Sequence, residues 1–308
     1  MAINEQDLQR ALSLRISMQI AVSSIPAVEE SMDIDLDRFL DSVPLPPEVP
    51  SGTAIDIEVT VGSDLQRMRW SAFGHPAGFI PKMADYLNRC GVQPVDIALI
   101  NGMGDALQPS LVGHWVAIED GAVRTGWQFR EQRALAELQP FLGSEFAVAK
   151  MMAWAVRRDV DFYRGFARSI GKEPSSRVEV PLPGATAAEQ LELARSAFED
   201  LLEQPLPAQL IDAIGESEAP DTGLAFELVG GELRGLAVVA SGFADDVVAG
   251  LCHAVGVTWS DTLPRIGQAL RADGITRVEY RRRGEVQAVD ALFIPGETEP
   301  APPGTGSN

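Results

Sequence analysis

Carboxylates and guanidiniums recur at every second position in several short runs of this 308-residue chain. Asp56 and Glu58 alternate with Ile55, Ile57 and Val59, and Arg67, Arg69 and Ser71 follow with the same spacing. Arg177 and Glu179, then Arg277, Glu279, Arg281 and Asp290, repeat the pattern further on. A side-chain period of two collects such groups on one face of a strand. Arginines converging there can hold a diphosphate or carboxylate through paired hydrogen bonds, and a carboxylate among them can serve as a general base or hold a cation. On an open sheet these groups would face water. In a closed barrel they point into the lumen, where loss of solvent strengthens each contact.

Other chemistries lack their residues. His75, His114 and His253 have no Ser or Cys motif around them, and Gly-x-Ser-x-Gly does not occur. Cys252 and His253 are adjacent in an expected helix, so their side chains diverge. Cys90 and Cys252 do not make a disulfide framework, and no zinc-type spacing is present. The Gly102-Met103-Gly104-Asp105 stretch lacks the Gly-Lys-Ser/Thr ending of a phosphate loop and reads as a turn. Asp245-Asp246 begins a helix and suits its N-terminal dipole. An Asp-Asp-x-x-Asp cluster and the His-x-Asp/Glu element of five-bladed guanidine-modifying enzymes are both missing.

The formal charge of −19 argues against phosphate-neutralising nucleic-acid binding and against anionic membrane surfaces. The cations are 22 Arg and only three Lys (Lys82, Lys150, Lys172). A GC-rich genome accounts for such a bias, as does placement of Arg for bidentate anion contacts. With 45% hydrophobic residues, no apolar run long enough to span a bilayer and an N-terminus without signal-peptide regions, the expectation is a soluble cytoplasmic protein.

Five strand pairs separated by helices organise the chain. The expected pairs are 54–61 with 65–73, 94–101 with 109–118, 150–164 with 175–182, 222–229 with 233–241, and 275–283 with 285–294. Glu145–Ala155 also fits a helix, which makes the third pair the one on which closure depends. Helices are expected over 76–90, 186–203, 207–215, 244–256 and 260–273. Leu8, Leu12, Ile16 and Ile20 form a helical stripe, although 12–20 also alternates like a strand. Pro44, Pro46, Pro47 and Pro50 precede the first strand. The pattern predicts one α+β domain over 1–294, a ten-stranded antiparallel β-barrel of five αββα repeats surrounded by helices, and a disordered Pro/Gly-rich tail over 295–308.

Three stretches give this pattern a family likeness. They are Phe39-Leu40-Asp41-Ser42 leading to 54–58 and 65–70; 95–100 with 110–115 and 118–120; and 176–180 with 223–226. The chain resembles the ABBA-type aromatic prenyltransferases, most of all the peptide prenyltransferases of cyanobactin pathways. That resemblance implies transfer of an allylic prenyl group, dimethylallyl or geranyl, from its diphosphate to a side chain of a peptide from a ribosomal natural-product pathway. The alternative is a non-catalytic barrel that binds a peptide or lipid. By the resemblance, Glu58 is the base or orients the acceptor, and Arg67, Arg69, Arg124, Arg177, Arg234, Arg277 and Arg281 grip the diphosphate with Mg²⁺. Asp56, Trp115, Trp154, Phe226 and Tyr280 would then line the acceptor or shield the allyl cation. The chain departs from the family pattern at Gly113, Phe226 and Pro181, where the family carries lysine, lysine and tyrosine.

Overall fold

The computed structural model describes residues 53–61, 66–73, 84, 87–88, 92–107, 111–119, 122–142, 146–170, 174–215, 221–241, 245–254, 256 and 275–293. Ten strands occupy most of it: β1 Thr53–Val61, β2 Gln66–Phe73, β3 Leu111–Glu119, β4 Ala122–Ala134, β5 Phe162–Ile170, β6 Ser175–Pro181, β7 Thr222–Val229, β8 Glu232–Ser241, β9 Ile275–Arg283 and β10 Val286–Phe293. Each pairs antiparallel with its neighbours in chain order, and β1 pairs with β10, so the sheet closes into a barrel. Among the described residues the longer helices are α1 Pro94–Ala106, α2 Phe146–Arg157, α3 Ala187–Ala197, α4 Ala208–Gly215 and α5 Asp245–Ala254. Among the described residues, no helix is long and apolar enough to cross a membrane.

Local sequence explains the clearest elements. β7 and β8 are apolar runs buried along most of their length and are joined at Gly230-Gly231, both at positive φ; Gly284, also at positive φ, stands between β9 and β10. Thr186 caps α3 by accepting from the Glu189 backbone N–H at 3.2 Å, while the Glu189 carboxylate accepts from the Ala185 backbone N–H at 2.7 Å. Helices and barrel bury one apolar layer between them. Trp154 of α2 meets Phe226 of β7 edge-on at 5.8 Å, and Phe198, just after α3, stacks on Tyr280 of β9 at 6.0 Å. All four are fully buried or nearly so, and each Phe contributes about 1.5–3 kcal/mol by leaving water.

Two expected pairs are corrected. Residues 94–101 are helical, not a strand: Pro94 opens α1, Asp96 stands in its first turn, and Ile97, Ile100, Met103 and Gly104 are buried along one stripe. The Gly102–Asp105 stretch is the end of that helix rather than a turn. A short continuous apolar run has no period that separates helix from strand, and packing of the buried stripe decides here. The second pair is instead β3 with β4. In the third, 150–157 belongs to α2 and the strand is Phe162–Ile170; with β3–β4 taking the place of the expected second pair, the strands again make five pairs and the barrel closes. The pairs 54–61 with 65–73, 222–229 with 233–241 and 275–283 with 285–294 match the structure to within two residues at each end. The helices expected over 260–273 and near the N-terminus, and the tail from 295, lie outside the described residues. Of the helix expected over 76–90, Ala84, Leu87 and Asn88 are described and are helical.

Candidate functional site

Strand register gathers the charged positions. Around the barrel, Ala117 pairs with Arg124, Arg124 with Ser169, Ala167 with Arg177, Arg177 with Glu227, and Glu279 with Asp290. The same alternation runs on through Thr60 opposite Asp290 and reaches Glu58 opposite Arg67 and Asp56 opposite Arg69. On β7 and β9 the opposite parity carries Phe226 and Tyr280, which meet the helices. One parity is therefore the lumen and the other the helix-facing core.

The described lumen holds a chain of alternating charge. Asp221 accepts from Arg164 Nη1 at 2.5 Å, and Arg164 Nε donates to Glu179 at 2.6 Å. Glu179 also accepts from Arg277 Nη2 at 2.5 Å. Arg277 donates to Glu279 Oε1 through Nε at 3.1 Å and Nη2 at 2.6 Å. Glu279 Oε2 accepts from Arg177 Nη2 at 2.6 Å, and Arg177 Nη1 reaches Glu227 at 3.3 Å. Arg281 pairs separately with buried Asp290, at 3.1 Å through Nε.

Four carboxylates meet three guanidiniums in that chain, which leaves one net negative charge. Side chains of Glu179, Glu227, Glu279, Arg177 and Arg277 are all only 12–14% exposed. Groups so buried are held ionised by one another. Burial alone would raise Glu179, but Arg277, Arg164 and Arg177 outweigh it and hold the carboxyl down at about 2. Glu279 is also held well below the carboxylate range, its burial overcome by Arg177 and Arg277. Desolvation would lower Arg177 and Arg277, yet Glu279 with Glu227 and Glu179 with Glu279, respectively, push them up.

A cavity opens beside this network, lined by Trp115, Arg124, Arg177, Glu179, Arg277 and Glu279 among others. It contains about 440 Å³ of space between atoms, including its open mouth. Trp115 on β3 pairs with Gly126 on β4, and its indole lies over that glycine where a Cβ would stand only 2.4 Å away. Gly223 similarly leaves room for the Arg164 guanidinium, 2.6 Å from where its Cβ would be.

Arg124, Arg177, Arg277 and Trp115 thus come together around one cavity. Arg281 shares their face but pairs with Asp290. Arg234 does not join them: it is 55% exposed near the β7–β8 turn and pairs with Glu232. Trp154, Phe226 and Tyr280 are corrected from cation-shielding positions to the helix-facing core, because strand parity and the Trp154–Phe226 and Phe198–Tyr280 contacts place them across the sheet from the lumen. Asp56 and Glu58 on β1 stand opposite Arg69 and Arg67 on β2. Cys252 is buried, its thiol pushed up to about 12 by burial, and His253 is exposed.

Sequence reasoning placed Glu179 and Glu279 on polar faces without giving them a role, and missed Arg164, Asp221 and Glu227. Glu227 had a signal, since it alternates with the apolar Phe226 and Leu228 of β7. Asp221 sits before its strand and had none.

No family model matches the chain. A PH domain-containing protein of Dictyostelium discoideum is 26% identical over 280 residues, covering 87% of this chain and 61% of that protein. The chain therefore spans about three fifths of the length of the curated relative it matches. Among solved structures, 5-dimethylallyltryptophan synthase from Streptomyces coelicolor matches 91% of this chain and 97% of its own, at 14% identity and TM-score 0.58. The apo form of the prenyltransferase PriB matches 92% and 95%, at 12% identity and TM-score 0.60. The 6-dimethylallyltryptophan synthase from Micromonospora olivasterospora, solved in complex with DMASPP and Trp, matches 91% and 96%, at 13% identity and TM-score 0.60. This chain has the fold of these aromatic prenyltransferases, a ten-stranded antiparallel barrel with helices around it.

Proposed function

We propose that the barrel transfers an allylic prenyl group from its diphosphate to an acceptor side chain of a peptide, in a ribosomal natural-product pathway. The observation that carries this reading is the meeting of Arg124, Arg177 and Arg277 with the indole of Trp115 around one lumen cavity. Guanidiniums suit the diphosphate, and an indole face suits the allyl cation that develops as it leaves. The C–O bond to the diphosphate breaks with its electron pair going to pyrophosphate. The acceptor's nucleophile forms the new bond to carbon, and its proton passes to a base, for which Glu58 is the candidate.

Among the described residues, no carboxylate set fits a metal held by the protein. Glu179, Glu227 and Glu279 all turn oxygen to arginine, and among the described residues no group of three His, Cys, Asp or Glu stands where it would hold an ion. Mg²⁺ is therefore read as part of the donor, carried on its diphosphate.

The test is incubation with dimethylallyl or geranyl diphosphate, Mg²⁺ and a pool of short peptides, read by mass spectrometry. A prenyl-sized mass gain on one peptide is expected; no gain on any acceptor overturns the reading. A second reading, a barrel that binds a peptide or lipid without reaction, is favoured by the saturation of Arg164, Arg177 and Arg277 by carboxylates. Saturable peptide or lipid binding with no product supports it.

A further inference from the structure

We propose that Glu279 is a resident stand-in for the ligand's anionic group: it occupies the seat between Arg177 and Arg277, and an entering diphosphate takes that seat by displacing it. The inference rests on the diphosphate reading above and adds how the site is kept closed before the donor arrives.

Three observations carry it. Glu279 gives one oxygen to each guanidinium, Oε2 to Arg177 at 2.6 Å and Oε1 to Arg277 at 2.6 and 3.1 Å. A phosphate group meets two arginines in the same two-oxygen fashion. Among the described residues, no other carboxylate contacts both: Glu179 contacts Arg277 and Arg164, and Glu227 contacts Arg177 alone. Finally, Glu279 lines the same cavity as Arg124 and Trp115.

The charge balance agrees. Taking Glu279 out of the network leaves Asp221, Glu179 and Glu227 against Arg164, Arg177 and Arg277, which is a neutral framework. A site one charge more positive holds a polyanion more tightly, and the desolvated lumen magnifies the difference. Destabilising a binding site ordinarily weakens its ligand, whereas removing a competitor strengthens it. The sign of the effect therefore separates this role from a merely structural one.

The experiment is calorimetric titration with inorganic pyrophosphate of the native protein, Glu279→Gln and Glu227→Gln, each checked for a cooperative thermal transition. Glu279→Gln is expected to bind roughly tenfold or more tightly than native, and Glu227→Gln, which removes the same charge from one arginine only, by less than about threefold. If Glu279→Gln does not fold, Glu279→Asp keeps the charge but draws it back by one methylene and is expected to tighten binding by a few-fold. Unchanged or weaker affinity in the Glu279 variant, or equal tightening in both Gln variants, overturns the inference. If the native protein binds pyrophosphate in that case, the diphosphate reading stands; binding by none of the proteins overturns both.

Discussion

The indole of Trp115 lies across the backbone of Gly126, so close that a Cβ on the glycine would be 2.4 Å from Cε2 and Cζ2 of the ring. The two residues pair on adjacent strands, and the ring forms part of the cavity wall. Gly126 is here the condition for an aromatic surface in the lumen, because any side chain at that position must move the ring.

Gly126→Ala is therefore expected to cost about 1–3 kcal/mol in urea denaturation, the usual range for overpacking a buried site. The cost should largely disappear in the Gly126→Ala/Trp115→Ala double variant relative to Trp115→Ala, since the clash partner is gone. Equal costs in both backgrounds would mean that the two residues do not compete for space.

Acid should weaken the barrel through its ion-pair network. Glu179 is held at about 2 against an ordinary 4.5, so between those values the unfolded chain binds more protons than the folded one. Its stabilisation is complete above about pH 4.5 and is lost as pH falls through about 2, on the order of 3 kcal/mol. Glu279, also depressed, extends the loss in the same direction. Urea denaturation from pH 6 to 2 should show this slope, and Glu179→Gln should flatten it. At neutral pH that variant should be about 3–5 kcal/mol less stable, because Arg164 and Arg277 lose a shared partner.

Phe226 separates packing from ligand contact. It lies fully buried against Trp154, in the layer beneath the helices. Phe226→Ala is expected to lose about 3–5 kcal/mol of stability, while pyrophosphate affinity measured well below the melting temperature stays within about twofold. A large loss of affinity in a folded variant would place Phe226 in the lumen after all.

The outline of the fold was legible where turn glycines split two strand-length apolar or alternating runs, as at Gly230-Gly231 and Gly284. It failed at Ile97–Ile100, where four apolar residues in a row satisfy helix and strand alike and only tertiary packing chooses. The strand β4 was overlooked although Val123, Thr125, Trp127 and Phe129 alternate with Arg124, Gly126 and Gln128. For the site, alternation put Arg177, Glu179, Arg277 and Glu279 on polar faces correctly. Their pairing was invisible because Arg177 on β6 meets Glu279 on β9 across 102 residues, with β7 and β8 lying between those strands in the sheet. The contact needs barrel curvature and the small lumen residues Ala225, Gly235 and Ala237 beneath it. Trp154, Phe226 and Tyr280 were misplaced for the converse reason: residue type alone does not say which side of a sheet an aromatic takes.

Whether the lumen cavity receives an allylic diphosphate is read from a crystal structure with a non-reactive allylic diphosphate analogue. Phosphate oxygens are expected against Arg177 and Arg277, the Glu279 carboxylate moved off them, and the prenyl chain along the indole of Trp115. An analogue bound elsewhere, or a lumen in which Glu279 still joins the two arginines at saturating ligand, would contradict it.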